Sequence, residues 1–207
     1  MARELSAYEN RADALVLALP RGGVPVASVV ARELCLPLDV FVVRKLGLPG
    51  YPELAMGAIA SGGVRSLNSE VLTSLNVPEK IFEEVSARER EEVTRREQAY
   101  RGERPAPEVA GKTIILVDDG IATGSTMIAG VRALEQQEAA WIVAAAPVIA
   151  TSTYPQIKRV ANEVAAVLIS DEFGGVSGFY ENFSQTTDDE VRALLELPNE
   201  CFRADDR

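Results

Sequence analysis

Ile114-Ile-Leu-Val-Asp-Asp-Gly-Ile-Ala-Thr-Gly-Ser-Thr126 is the stretch from which the rest of the chain can be read. Its first four residues are apolar without alternation, the pattern of a strand buried on both faces of a parallel sheet. Asp118 and Asp119 follow where such a strand leaves the sheet. A short loop, Gly120 to Gly124, leads into Ser125 to Leu134, whose composition predicts a helix. Carboxylates at a strand tip accept hydrogen bonds from sugar hydroxyls. The free amides of a helix start, with the hydroxyls of Thr123, Ser125 and Thr126, hold a phosphate. A ligand with sugar at one end and phosphate at the other suits both halves. The bland alternative is a strand-to-helix turn in which Asp and Thr act only as caps. Two acids, a glycine and three hydroxyls in one loop argue against it.

Working outward, the same strand-then-helix unit recurs on both sides. Ala14-Leu-Val-Leu-Ala-Leu19 is a buried-strand candidate that runs into Pro20-Arg-Gly-Gly23, and Val24 to Leu36 follows with helical spacing. Pro37 ends that helix, and Leu38 to Val43 reads as a second strand. Arg44 to Glu53 reads as a long Gly- and Pro-rich loop, and Leu54 to Ala60 with Val64 to Leu67 as an antiparallel hairpin. Ala140 to Ala146 and Val164 to Ile169 are further strands, with Thr151 to Asn162 a helix between them. Ser170 to Gln185 is a loop, and Asp188 to Leu197 a closing helix. The expected fold is α/β, a mainly parallel central sheet with helices on both faces, with a hairpin near a mobile loop and a small hood. In such sheets ligands bind beyond the C-terminal strand ends, where the strand order reverses. If the first strand and Ile114 to Val117 are neighbours, Pro20 to Gly23 and Asp118 to Thr126 face each other across one crevice.

Pro78 to Tyr100 is highly charged and helical. Glu84/Arg88, Glu91/Arg95, Glu92/Arg96 and Glu97/Arg101 are spaced four apart with Glu first, the favoured order. Interleaved signs favour a solvated face over a binding arm, with Phe82, Val85, Val93 and Tyr100 packing on the body.

Composition narrows the function. The 207 residues allow one domain over 1–207. A net charge of −10 opposes nucleic acid and anionic membrane as partners. No signal peptide or spanning apolar run is evident, and Cys35, in an apolar helix, and Cys201 form no recognisable framework, which fits a reducing cytoplasm. Histidine is absent, which removes a Ser-His-Asp triad and every His-containing metal site.

Val117 to Thr126 resembles the phosphoribosyl-pyrophosphate signature of type I phosphoribosyltransferases, with Gly120 where a branched apolar residue is common. The whole chain resembles a bacterial group of such proteins with unsettled substrate. It shares Leu-Pro-Arg-Gly-Gly-Val-Pro-Val-Ala from Leu19, Val-Arg-Lys-Leu-Gly from Val43, and Asp-Glu-Val-Arg-Ala-Leu-Leu from Asp189.

The resemblance implies transfer of a phosphoribosyl group from phosphoribosyl pyrophosphate to a nitrogen base, purine-like before pyrimidine. Asp118 and Asp119 would hold the ribose hydroxyls, and Ala122, Thr123, Gly124, Ser125 and Thr126 the 5′-phosphate. Arg21, Gly22 and Gly23 would hold pyrophosphate. A cis peptide is expected at Pro20–Arg21, and Arg44 and Lys45 would open a mobile loop over the substrate. Glu53 is the base candidate, because the position that holds an acid in hypoxanthine/guanine enzymes is Ala122. Phe173 is the first choice for a ring stacked on the acceptor, Tyr180 the second, each set against simple packing of the last loop. Hood elements are expected within 1–13 and 170–185, although relatives begin with an additional N-terminal stretch. Magnesium would arrive with the donor, with no protein metal site, and a homodimer is a family-level expectation. The rival reading is a non-catalytic sensor of the same ligand that acts through a protein partner. A triphosphatase is excluded by the missing Walker lysine.

Overall fold

The fold was established from a computed structural model, which describes residues 1–197 and Cys201, the side chains of residues 52 and 53 excepted. Strands β1 (Ala14–Ala18), β2 (Leu38–Val40), β6 (Thr113–Val117), β7 (Trp141–Ala150) and β8 (Glu163–Ser170) form one parallel sheet in the order β2-β1-β6-β7-β8. Alternate residues of each strand feed two cores. Val16, Ala18, Ile115 and Val117 pack under α1 (Gly23–Glu33), α3 (Glu79–Arg101) and α6 (Asp188–Glu196). Leu15, Leu17, Ile114 and Leu116 pack under α4 (Ser125–Gln136) and α5 (Tyr154–Lys158). Burial on both faces is why these strands read as unbroken apolar runs.

The second strand is shorter than its apolar run. Val42 donates its amide to Ser61 Oγ at 2.8 Å and accepts from the Ser61 amide at 2.8 Å, which draws the chain out of the parallel sheet after Val40. From Val43 it joins a separate antiparallel sheet of β3 (Val43–Leu48), β4 (Tyr51–Ala60) and β5 (Arg65–Leu67). The expected loop at Arg44 to Glu53 is therefore a hairpin. Pro49-Gly50 turns it, with Gly50 at φ 85° where a type II turn needs a left-handed residue. A short helix, α2 (Ser69–Ser74), then leads to α3. The helix expected at Thr151 to Asn162 contracts to α5.

Along α3, Phe82, Val85, Val93 and Tyr100 are buried, as the stripe predicted. Glu92–Arg96 and Glu97–Arg101 pair, whereas Arg88 turns to Glu89 and Arg95 to Glu92. Arg101 and Asp39 form a buried pair at 2.9 Å, fixing the end of α3 to β2. The cysteines correct the expectation made for them. Cys35 lies past the end of α1 with φ 53°, and it is disulfide-bonded to Cys201 across 166 residues. That pairing joins two chain segments which spacing alone could not connect.

Residues 1–13 pack against the start of β8. Their short 3-10 helix, Ala2–Tyr8, puts the Tyr8 hydroxyl on Glu163, the first residue of β8. Because the strands are parallel, that contact lies at the end of the sheet opposite the C-terminal strand tips. Among the described residues, no helix is long and apolar enough to cross a membrane.

Candidate functional site

Strand order reverses between β1 and β6, which are hydrogen-bonded neighbours from Ala14↔Thr113 to Ala18↔Val117. The loop after each strand therefore opens on the same crevice. Gly22 and Gly23 permit the close approach. A Cβ on Gly22 would lie 1.9 Å from Asp119 Oδ2, and one on Gly23 would lie 2.6 Å from the Val117 carbonyl oxygen. The Pro20–Arg21 peptide is cis, as expected. Arg21 is half-buried, 3.5 Å from Asp188 at the start of α6. Asp188 also accepts the Tyr100 hydroxyl at 3.1 Å.

Asp118 Oδ1 accepts the Asp119 amide at 2.9 Å. Burial raises the Asp118 pKa well above the ordinary carboxylate value, and the adjacent Asp119 charge adds to it. Asp119 is raised too, again first by burial. The site thus holds two adjacent buried carboxylates that repel each other when both are charged.

The loop 120–124 ends at Gly124, with φ 73° and a Cβ position 2.6 Å from Thr153 Cγ2, so only glycine fits. α4 begins at Ser125, and no side chain caps it. Its first amides are therefore available to an anion, with Thr123 and Ser125 exposed beside them and their hydroxyls 3.3 Å apart. Thr126 is half-buried in the first turn. The Ala122 carbonyl accepts the Thr153 hydroxyl, which ties this loop to the end of β7.

Residues 171–187 leave β8 at one edge of the sheet and return to α6, which packs on α1 and α3. This strap passes close to the acids. Tyr180 donates its hydroxyl to the Asp119 carbonyl at 2.7 Å, and burial, then the Asp119 and Asp118 charges, push its pKa up to about 12. Val176 lies over Gly120, where a Cβ would come within 2.7 Å of Val176 Cγ1. The glycine that departs from the usual signature thus makes room for the strap.

The crevice gathers Arg21, Gly22, Gly23, Asp118, Asp119 and residues 122–126. The Arg44 guanidinium bonds Glu89 on α3 at 2.9 Å. Lys45 is its exposed neighbour on the opposite face of β3. Both lie in β3, on the hairpin that stands where a loop was expected. Glu53 belongs to β4, and its side chain lies outside the described residues. Phe173 packs on Phe179 with centroids 5.3 Å apart and lines a cleft with Ala122 and Thr123. Tyr180 instead lines a second cleft with Arg21 and Asp119. Asp188 was not foreseen, although Thr187-Asp-Asp-Glu190, a capping box in the structure, is a sequence signal for the start of α6.

The phosphoribosyl transferase domain model matches residues 1–183. The chain belongs to this family. Two provisionally named phosphoribosyl transferases of Mycobacterium tuberculosis, Rv0571c and MT0597, are each 39% identical to this domain over 202 residues, 98% of the chain. The chain spans 45% of their length. The crystal structure of TT1426 from Thermus thermophilus is 38% identical and superposes with a TM-score of 0.83, covering 94% of this phosphoribosyl transferase chain and 91% of that one. Its fold agrees with the parallel sheet and separate three-stranded sheet described above.

Proposed function

We propose that this chain transfers the phosphoribosyl group of phosphoribosyl pyrophosphate to a nitrogen base and releases pyrophosphate. The observation that carries this reading is the contact of Gly22 with Asp119, which sets an Arg-Gly-Gly loop against two acids beside an uncapped helix start. The amides of 124–126 and the hydroxyls of Thr123, Ser125 and Thr126 bind the 5′-phosphate. Asp118 and Asp119 accept the ribose hydroxyls. Arg21 and the backbone of Gly22 and Gly23 receive pyrophosphate.

As the pyrophosphate departs, the anomeric carbon becomes oxocarbenium-like. The two carboxylates favour that positive charge, as carboxylates do in glycoside hydrolysis. Little else is asked of side chains, so a chain without histidine can carry the chemistry. Among the described residues no group of three acids, cysteines or histidines could hold a metal ion. Magnesium carried by the donor would neutralise the leaving pyrophosphate, and Asp118 and Asp119 are the residues that would face it. The family resemblance makes a purine-like ring the first acceptor class to test.

The test is magnesium-dependent release of pyrophosphate from phosphoribosyl pyrophosphate across a panel of nitrogen bases. Release with at least one base, abolished in Asp118→Asn/Asp119→Asn, is the expected result. Donor binding without release for any base contradicts transfer.

A further inference from the structure

Two clefts open near the C-terminal strand ends, one on the phosphate loop and one on Asp119. The smaller, about 530 Å³, holds Phe173, and five of its eight lining residues carry hydroxyl or carboxyl groups. It adjoins the phosphate loop at Ala122 and Thr123, so it suits the polar end of the donor. The larger, about 890 Å³, begins from Arg21 and Asp119 and runs between the first turn of α1 and α6. Its walls there are apolar: Pro25 and Val26 on one side, Ala193 and Leu194 on the other. The strap adds Tyr180 and Phe183, with ring centroids 5.2 Å apart and tilted by 49°, beside the polar Asn182, Ser184, Gln185 and Thr186. Because the Tyr180 hydroxyl is bonded to the Asp119 carbonyl, this aromatic pair is held in register with the acid.

Size and charge restrict what can enter. The volume is near the top of the roughly 300–1,000 Å³ that houses drug-sized ligands, well beyond what a bare nucleobase fills. Arg21 is the only cation on its lining among the described residues, and pyrophosphate would occupy that group. The remaining charges are carboxylates, Asp119 and Glu190, and the latter is held in the capping box with Thr187. An anionic acceptor is therefore disfavoured, and an apolar extension is accommodated.

On the phosphoribosyl-transfer reading above, the geometry points to the larger cleft as the acceptor site, with an uncharged heteroaromatic base that carries an apolar extension lying along α6. Its ring nitrogen bonds to the anomeric carbon as the bond from that carbon to the pyrophosphate oxygen breaks. The electron pair leaves with pyrophosphate, and the proton of the ring N–H is released to water.

Binding is read by fluorine NMR with magnesium pyrophosphate present, so that no turnover occurs. The probes are fluorinated benzimidazoles with and without an alkyl chain, a fluorinated purine and a fluorinated pyridine carboxylate. The alkylated probe should bind about tenfold more tightly than the others, and Ala193→Trp, an exposed α6 position on the cleft wall, should weaken it about tenfold. Phe173→Ala should change it by less than about twofold, and Ala193→Trp should leave affinity for phosphoribosyl pyrophosphate within about twofold, which also reports an intact fold. Binding lost in Phe173→Ala and kept in Ala193→Trp, preference for the bare or carboxylated rings, or no probe binding at all would overturn the acceptor assignment alone. Failure of the wild-type chain to bind phosphoribosyl pyrophosphate would instead remove the transfer reading beneath it.

Discussion

At the scale of single residues, the site depends on groups whose cost to the free protein is visible. Asp118 and Asp119 have pKa values raised by burial and, for Asp118, by the neighbouring charge. A carboxyl with a raised folded-state pKa makes its contribution below its unfolded value and loses it as pH rises through the raised value. The melting temperature of the ligand-free chain should therefore fall as pH climbs above the ordinary carboxylate range. Asp118→Asn should flatten that fall and melt a few degrees higher at neutral pH while losing the donor, a trade of stability for function. Thermal melts across mildly acidic to neutral pH decide this, and an unchanged profile in the variant would contradict it. Gly23→Ala should cost about 1–3 kcal/mol because its Cβ meets backbone. Gly22→Ala should cost less in denaturant melts, since the Asp119 carboxylate can swing aside. Much of this was legible in the sequence: the acids, the hydroxyls and the Arg-Gly-Gly loop could be named from residue type and order. The role of Gly120 could not, because Val176 reaches it only through the fold.

At the scale of elements, the parallel strands were legible because residues buried on both faces leave continuous apolar runs. The small sheet was partly hidden. Gly47, Pro49 and Gly50 read as loop signals, yet Pro-Gly is also the sequence of a type II turn, and tertiary pairing to β4 decided between them. Arg44 illustrates the same limit: residue type alone could not show that α3 presents Glu89 to it. The Asp39–Arg101 pair holds α3 against β2 away from solvent. Arg101→Met should destabilise by about 3–5 kcal/mol in urea denaturation, since it strands a buried carboxylate, and adding Asp39→Asn should recover part of the loss. A double variant no more stable than the single one would show that packing of Arg101, rather than its charge, matters.

At the scale of the whole molecule, a strap crosses the crevice and a disulfide staples the chain away from it. The strap carries the chain from the β8 edge back across the acids to α6, and the Cys35–Cys201 disulfide ties the segment beyond α6 to the end of α1. A cross-link enclosing that much chain contributes up to about 5 kcal/mol by restricting the unfolded state. Reduction, or Cys35→Ser, should accordingly lower the denaturation midpoint, and an equal midpoint in both redox states would contradict the pairing. No sequence pattern joined the two cysteines, because 166 residues separate them. The family was readable from the resemblance carried by Val117 to Thr126, while which cleft Phe173 and Tyr180 each line needed the path of the strap. The most direct measurement of the central claim is calorimetric titration of the chain with magnesium phosphoribosyl pyrophosphate, beside Asp118→Asn/Asp119→Asn. Saturable binding that disappears in the double variant is the predicted result. No binding by the wild-type chain, or equal binding by both, would contradict it.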